Sequence, residues 1–380
     1  MADATAGFRI LVGCRGCPGA SSTDRRLAVM VTTPTWPGIL SSIVDGRDLS
    51  IGEAEWAMGS VMAGEATSAQ IAGLLVALRI KGETVDEIVG FRDAVLANAA
   101  VLPVTPDCLD IVGSGGDPYG AVLNISSVAS VVAAAAGTRV VKHGNRGASS
   151  ASGASDVLQA LGLNLDLEPA RVAAVLDEVG ITFAHAALFH PGFRHAGPTR
   201  RELGIPTLFN ILGPLCNPAR PNASAVGVAD LARVPLMAGV FQTRGATALV
   251  YRGDDGIDKL TTTGHSRLWE ISRGAITEHD IDPLELGIPR SRIDDLLGSD
   301  PTSNAAVIRS VLAGDAGPVR DVVLLNAAAG LVAAELSAFP ERHEVPIRER
   351  LATQLVVAAG AIDSGAAAAK LDDWVDATNR

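Results

Sequence analysis

A chain of 380 residues has room for two domains and a sizeable core. With 48% hydrophobic and only 19% charged residues it is neither disordered nor fibrous, and the composition fits an α/β enzyme. A formal net charge of -11 and an aromatic content of 4% exclude a nucleic-acid binder, because a phosphate backbone is repelled and bases find few rings to stack on.

Any phosphate must therefore meet a local site. No uninterrupted apolar run approaches the ~18 residues of a membrane span, and no charged-then-apolar export signal opens the chain, so a cytoplasmic protein without membrane contact is expected. Four cysteines, Cys14, Cys17, Cys108 and Cys216, are too few for a disulfide framework. The CxxC of Cys14 and Cys17 has no second pair and reads as incidental.

Residues 1–33 carry Gly, Ser, Thr and Arg without periodicity and are expected to form a disordered tail, with Met30 a candidate start. Residues 34–105 read as a helical domain. Ser50 with Glu53, Thr67 with Gln70 and Thr84 with Glu87 each make a capping box before an apolar-periodic run. In the run after Thr67, Ile71, Leu74, Leu75 and Leu78 fall on one stripe.

Past Pro103 and Pro106 the texture changes. A strand at 109–112, a helix at 126–136 ended by Gly137 and a strand at 139–142 make a βαβ unit. Further strands are expected near 181–184, 225–229 and 246–252, with helices near 153–161, 168–179, 303–313 and 347–360. Residues 106–380 thus read as an α/β domain whose mostly parallel central sheet is wrapped by helices.

Ligands of such sheets sit beyond the carboxyl ends of the strands. The loop "GSGGDPYGAVLNISS" at 113–127 follows one strand, and its glycine amides and the helix start at Asn124, Ser126 and Ser127 converge as an anion cradle. Taken alone it serves equally as a tight turn that needs glycine. The next strand leads into "VKHGNRGASS", with Lys142, Asn145, Arg146, Ser149 and Ser150. Two adjacent loops with phosphate-type donors favour a phosphate site.

From about Trp36 onward the chain resembles the anthranilate phosphoribosyltransferase family, through "GEATSAQIAGLLVALRIKGET", "KHGNR", His190–Pro191, "RRELGIPTLFNILGPLCNP", "GDDGID" and "LNAAAG". That resemblance implies a homodimer formed through the helical domain, and transfer of the phosphoribosyl group from phosphoribosyl pyrophosphate to the amine of anthranilate in tryptophan biosynthesis. It implies that Gly113, Gly116, Asp117, Asn124, Ser126, Ser127, Lys142, Asn145, Ser149 and Ser150 bind the donor. Gly113, Asn145 and Arg200 would hold the aromatic acid. Magnesium would be shared with Ser126 and Asp258.

No residue is expected as a covalent or acid–base catalyst, since anthranilate's amine is already a neutral nucleophile and the work is stabilisation of departing diphosphate. His143 and His190 are expected to line the site at most.

The chain departs from the family pattern at several points. Pro118, Tyr119 and Gly120 add a residue before Asn124, Ala121 or Val122 stands where a threonine is usual, and a serine of the next loop becomes Ala154. The Asp–Glu pair of a second magnesium site appears as Asp258–Lys259. Lys259 either neutralises diphosphate itself or points to solvent in a weakened or non-catalytic member. His185 and Ala187 replace an aromatic residue and a proline near the acceptor, which leaves another aromatic acceptor open.

Overall fold

The computed structural model describes residues 33–147 and 152–380. Ser149 and Ser150, the tail, Met30 and the CxxC lie outside the described residues. Four helices come first: α1 (Trp36–Val44), α2 (Ile51–Ala63), α3 (Ser68–Lys81) and α4 (Val85–Ala97). All three expected capping boxes form, at Ser50, Thr67 and Thr84. The last of these does double duty, because the fully buried Glu87 also accepts from Leu49 N–H at 2.9 Å and pairs with Lys81 at 3.0 Å. The stripe of Ile71, Leu74, Leu75 and Leu78 is buried throughout.

The chain then runs β1 (Leu109–Gly113), α5 (Ile125–Ala135), β2 (Val140–Gly144), α6 (Ala154–Ala160), α7 (Pro169–Val179) and β3 (Ile181–His185). Three helices follow, α8 (Ala186–Phe189), α9 (Phe193–Leu203) and α10 (Phe209–Leu212), then β4 (Ala223–Gly227), α11 (Val234–Thr243) and β5 (Thr247–Gly253). The remainder is β6 (Ser266–Ser272), β7 (Ala275–Ile281), α12 (Pro301–Leu312), α13 (Pro318–Ala338), α14 (Ile347–Asp363) and α15 (Ala366–Thr378). α15, not α14, closes the chain.

One seven-stranded sheet has the order β3-β2-β1-β4-β5-β6-β7. The first five strands in that order are parallel, whereas β6 and β7 extend the sheet as an antiparallel hairpin with a largely exposed edge strand. Alternation splits β1, β4 and β5 between two cores. Leu109, Ile111, Ala225 and Leu249 face a cluster built with α5 and α12 to α15. Val112, Val226 and Val250 face another, in which the N-terminal helices pack together with α9, α10 and α11.

α13 has 21 residues and a mean hydropathy of 1.5, enough in length and composition to cross a bilayer. It is instead the central helix of the first core, with Leu325, Ala327, Ala328, Ala329, Val332 and Ala333 buried.

Candidate active site

Strand order reverses at β1: the chain goes outward through β2 and β3, then returns to lay β4 on the other side. Ligands of open α/β sheets bind in the crevice outside the carboxyl ends of strands at such a switch point. Here those ends are two paired glycines, Gly113 and Gly227. Each is glycine because Asp258 approaches: a Cβ on Gly113 would lie 2.1 Å from Asp258 Oδ2, and one on Gly227 would lie 1.6 Å from the Asp258 carbonyl oxygen.

The loop after β1 turns through Gly115 and Gly116 with φ of 68° and 78°, a region that side chains with a Cβ avoid. Gly115 N–H donates to Asp258 Oδ2 at 2.8 Å. Asp117 is spent on its own turn, with Oδ1 accepting from the backbone of Tyr119 at 3.0 Å and Gly120 at 2.8 Å. The unusual residues dock elsewhere: Tyr119 donates through its hydroxyl to Asp255 O at 3.2 Å, and Pro118 packs on Gly256. The loop's exit is strapped down by Leu123 N–H to Leu296 O at 3.0 Å and by the Val122–Leu297 bridge.

The loops after β1 and β2 meet. Asn124 donates to Ser152 O at 3.0 Å and accepts from Ser152 Oγ and Asn304 Nδ2, both at 3.2 Å. Lys142, buried in the middle of β2, donates from Nζ to Ile111 O at 2.7 Å and to Ser126 Oγ at 3.3 Å. Ser126 thus sits over Lys142 at the start of α5, while Ser127 turns inward and is buried. Burial lowers the pKa of the Lys142 ammonium and raises that of the nearby Asp110 carboxyl, each shift opposed by the other's charge. Asn145 is exposed, its Oδ1 taken by Arg146 N–H at 2.8 Å.

His143 and His190 are structural. His143 Nδ1 is 3.0 Å from Gly213 O and His190 Nε2 is 2.8 Å from Cys216 O. Burial pushes the pKa of His143 down to about 3 and that of His190 to about 4. The two rings start a ladder, with centroids 5.2 Å apart, then 5.4 Å from His190 to Phe193 and 5.7 Å from Phe193 to Phe209. It ends at Arg200 on α9, whose Cζ lies 4.8 Å over Phe209. Among the described residues that guanidinium has no carboxylate or hydrogen-bonding partner. A half-buried guanidinium on an aromatic wall suits a planar aromatic acid.

Lys259 does not point to solvent. It is 8% exposed, and its ammonium pairs with Asp258 Oδ1 and donates to Asp258 O at 2.9 Å. Both Asp258 oxygens are therefore engaged, Oδ1 by Lys259 and Oδ2 by Gly115. No group of three or more His, Cys, Asp or Glu side chains suited to a metal occurs among the described residues. Ser126 Oγ could supply one ligand to a magnesium ion held mainly by the phosphate oxygens of a bound donor, in exchange for its 3.3 Å contact with Lys142, since magnesium characteristically takes few protein ligands and several phosphate or water oxygens. A second ion at Asp258 does not fit.

Some supporting residues are invisible to a motif reading. Asp156 Oδ2 accepts from Gly147 N–H at 3.0 Å and Gly153 N–H at 2.9 Å, clasping the two ends of the second loop. Its one local signal is its place three residues after Gly153 at the start of α6. Asn217 donates to Asp110 at 2.9 Å and to Val141 O at 2.8 Å, bracing β1 against β2. Surface depressions of about 560 and 320 Å³, beside Arg380 and beside Trp56, lie away from all of these residues.

Fold and site together define a glycosyltransferase assembled from a helical bundle and an α/β domain. Family models of those two parts, the helical bundle domain and the a/b domain of the glycosyl transferase family, match residues 37–99 and 105–368. Anthranilate phosphoribosyltransferase of Clavibacter michiganensis is 71% identical over 92% of this chain and 99% of its own length, and that of Leifsonia xyli is 64% identical over 92% and 100%. Among solved structures, the Thermus thermophilus enzyme superposes with a TM-score of 0.81 at 38% identity, covering 90% of this chain and 99% of that one. The Saccharomyces cerevisiae enzyme, in complex with PRPP and Mg, gives 0.80 at 25% identity over 90% and 98%. The chain belongs to the anthranilate phosphoribosyltransferase family.

Proposed function

We propose that the chain moves the 5-phosphoribosyl group from phosphoribosyl pyrophosphate to the amine of anthranilate, releasing diphosphate, as a step of tryptophan biosynthesis. The observation that carries this is the joining of two loops, by Asn124 to Ser152 and Lys142 to Ser126, beside an aromatic wall that ends in Arg200, which is unpaired among the described residues.

Gly113, Gly116, Asp117, Asn124, Ser126, Ser127, Lys142 and Asn145 form the donor side, and the same role is assigned to Ser149 and Ser150, which lie outside the described residues. The backbone amides of the glycine loop and the start of α5 aim at the diphosphate, and Lys142 lies beneath with its positive charge. Arg200 grips the acceptor carboxylate with two parallel hydrogen bonds, while Gly113 and Asn145 border the ring. Positioning then does most of the work, because the neutral amine needs no base to attack. Magnesium, when bound through Ser126 and the donor's phosphates, adds charge stabilisation to the departing diphosphate.

In this reading residues 1–33 are a tail, 34–105 a helical domain and 106–380 the α/β domain. A homodimer formed through the helical domain is in keeping with its exposed Val44 and Ile80, 74% and 82% accessible. A cytoplasmic setting suits the free, buried thiols of Cys108 and Cys216. The test is anthranilate fluorescence in the presence of donor and Mg2+. It should decay with enzyme, and a flat trace would overturn the assignment of acceptor.

A further inference from the structure

We propose that Lys259 stands in for a divalent cation at the diphosphate site, so that this chain binds one metal ion with each donor molecule and supplies the remaining positive charge itself. The inference rests on the donor-binding role assigned above. It starts from Asp258, the carboxylate that meets the ends of β1 and β4. Asp258 is 4% exposed, its Oδ2 accepts from Gly115 N–H at 2.8 Å, and its Oδ1 holds the Lys259 ammonium. A metal ion reaching that carboxylate would have to share an oxygen with one of these partners, one of them itself a cation.

The ammonium is also aimed where it is needed. A Cβ on Gly113 would lie 2.9 Å from Lys259 Nζ, so the charge abuts the last residue of β1, where the glycine loop begins. An ammonium carries three N–H groups. Two are used, on Asp258 Oδ1 and Asp258 O, and the third has no partner among the described residues. A phosphate oxygen in the crevice is the natural acceptor for it.

Electrostatics exclude having both cations. A divalent ion at Asp258 would stand within a few ångströms of the ammonium, and the repulsion there is twice that between unit charges and poorly screened in a buried site. Lys142 adds a further positive charge from below, its pKa lowered first by burial and, among nearby charges, by the Lys259 ammonium. With two lysines present and the Asp258 carboxylate already neutralised, an anionic diphosphate is the group that balances the site, and a second metal is not required. Asp258 is then a positioning residue: it fixes Lys259 and ties the glycine loop to the β5–β6 loop.

The experiment counts ions. Mn2+ serves as a paramagnetic probe, and bound Mn2+ is measured by electron paramagnetic resonance with saturating phosphoribosyl pyrophosphate, while calorimetry follows donor binding. One Mn2+ per chain is expected, against two in Lys259→Glu. Lys259→Gln should keep one ion and bind donor at least tenfold more weakly, with thermal melting confirming that both variants fold. Two ions in the unsubstituted protein with donor bound would overturn the proposal and leave the assigned function intact. No donor binding at all would overturn both.

Discussion

The carbonyl oxygen of Asp258 occupies the space in which a side chain at Gly227 would begin, 1.6 Å from the position of its Cβ. The sharp approach of the β5–β6 loop to the end of β4 is thus permitted by the absence of one carbon atom. Gly227→Ala should push that loop outward and take Asp258 and Lys259 with it. The expected result is a destabilisation of ~1–3 kcal/mol or more from overpacking, with donor affinity lowered at least tenfold. Calorimetry and a denaturation curve check the two effects separately, and unchanged donor binding would contradict this account of the glycine.

Arg200→Lys keeps the charge but loses the planar fork. The KM for anthranilate should rise ~10- to 100-fold, the equivalent of ~1.4–2.8 kcal/mol, because an ammonium cannot reproduce two parallel bonds to a carboxylate. The KM for donor should stay as it is. A variant that impairs both substrates equally would point to a role in folding.

Arg350 on α14 and Glu270 on β6 form an ion pair at 2.6 Å, 2% and 6% exposed at their side chains. Removing Arg350 leaves the buried Glu270 carboxylate with His279 Nε2, 3.6 Å away, as its remaining neighbour among the described residues. Arg350→Ala should cost ~3–5 kcal/mol in urea denaturation, whereas joint replacement by Met and Leu should recover much of it. Equal losses in the single and double variants would argue against the pairing.

His143 and His190 are held neutral by burial, with pKa values near 3 and 4 in the fold against an ordinary 6.5. Below that ordinary value the unfolded chain takes up protons that the fold refuses. Their contribution to stability is therefore fully present above pH ~6.5 and is lost as pH falls toward 4, at up to ~1.4 kcal/mol per pH unit for each ring. Melting temperature should drop between pH 6.5 and 4.5, and His190→Gln, which can keep the bond to Cys216 O, should show a shallower slope. A Tm that holds constant across that window would remove the argument.

How much of this was legible beforehand follows from whether each feature is local. The capping boxes at Ser50, Thr67 and Thr84 are contained in four residues and were readable, as was the βαβ unit around the glycine loop. The β6–β7 hairpin was not. Its turn is Arg273–Gly274, both at positive φ, and the arginine conceals a turn that Asn or Gly would announce. α13 is buried on nearly all sides, so it has no apolar stripe to betray it. At the site, the oddity of Lys259 was visible in the sequence, but its burial was not. Gly227 and Asp156 owe their roles to residues or loop ends that only the fold brings near.

The hairpin that escaped notice also sets the chemistry of the sheet's open margin. Its outer strand, β7, displays Glu278 and Asp280 along the open margin of the sheet, and Glu278 is engaged by Arg267 and Trp269 of β6. An extended segment from another molecule laid against that margin would confront those charges side by side, a common safeguard against runaway strand pairing. Self-association by lengthening the sheet is discouraged on that flank, which leaves the surfaces of the helices as the ground on which a second copy can be received.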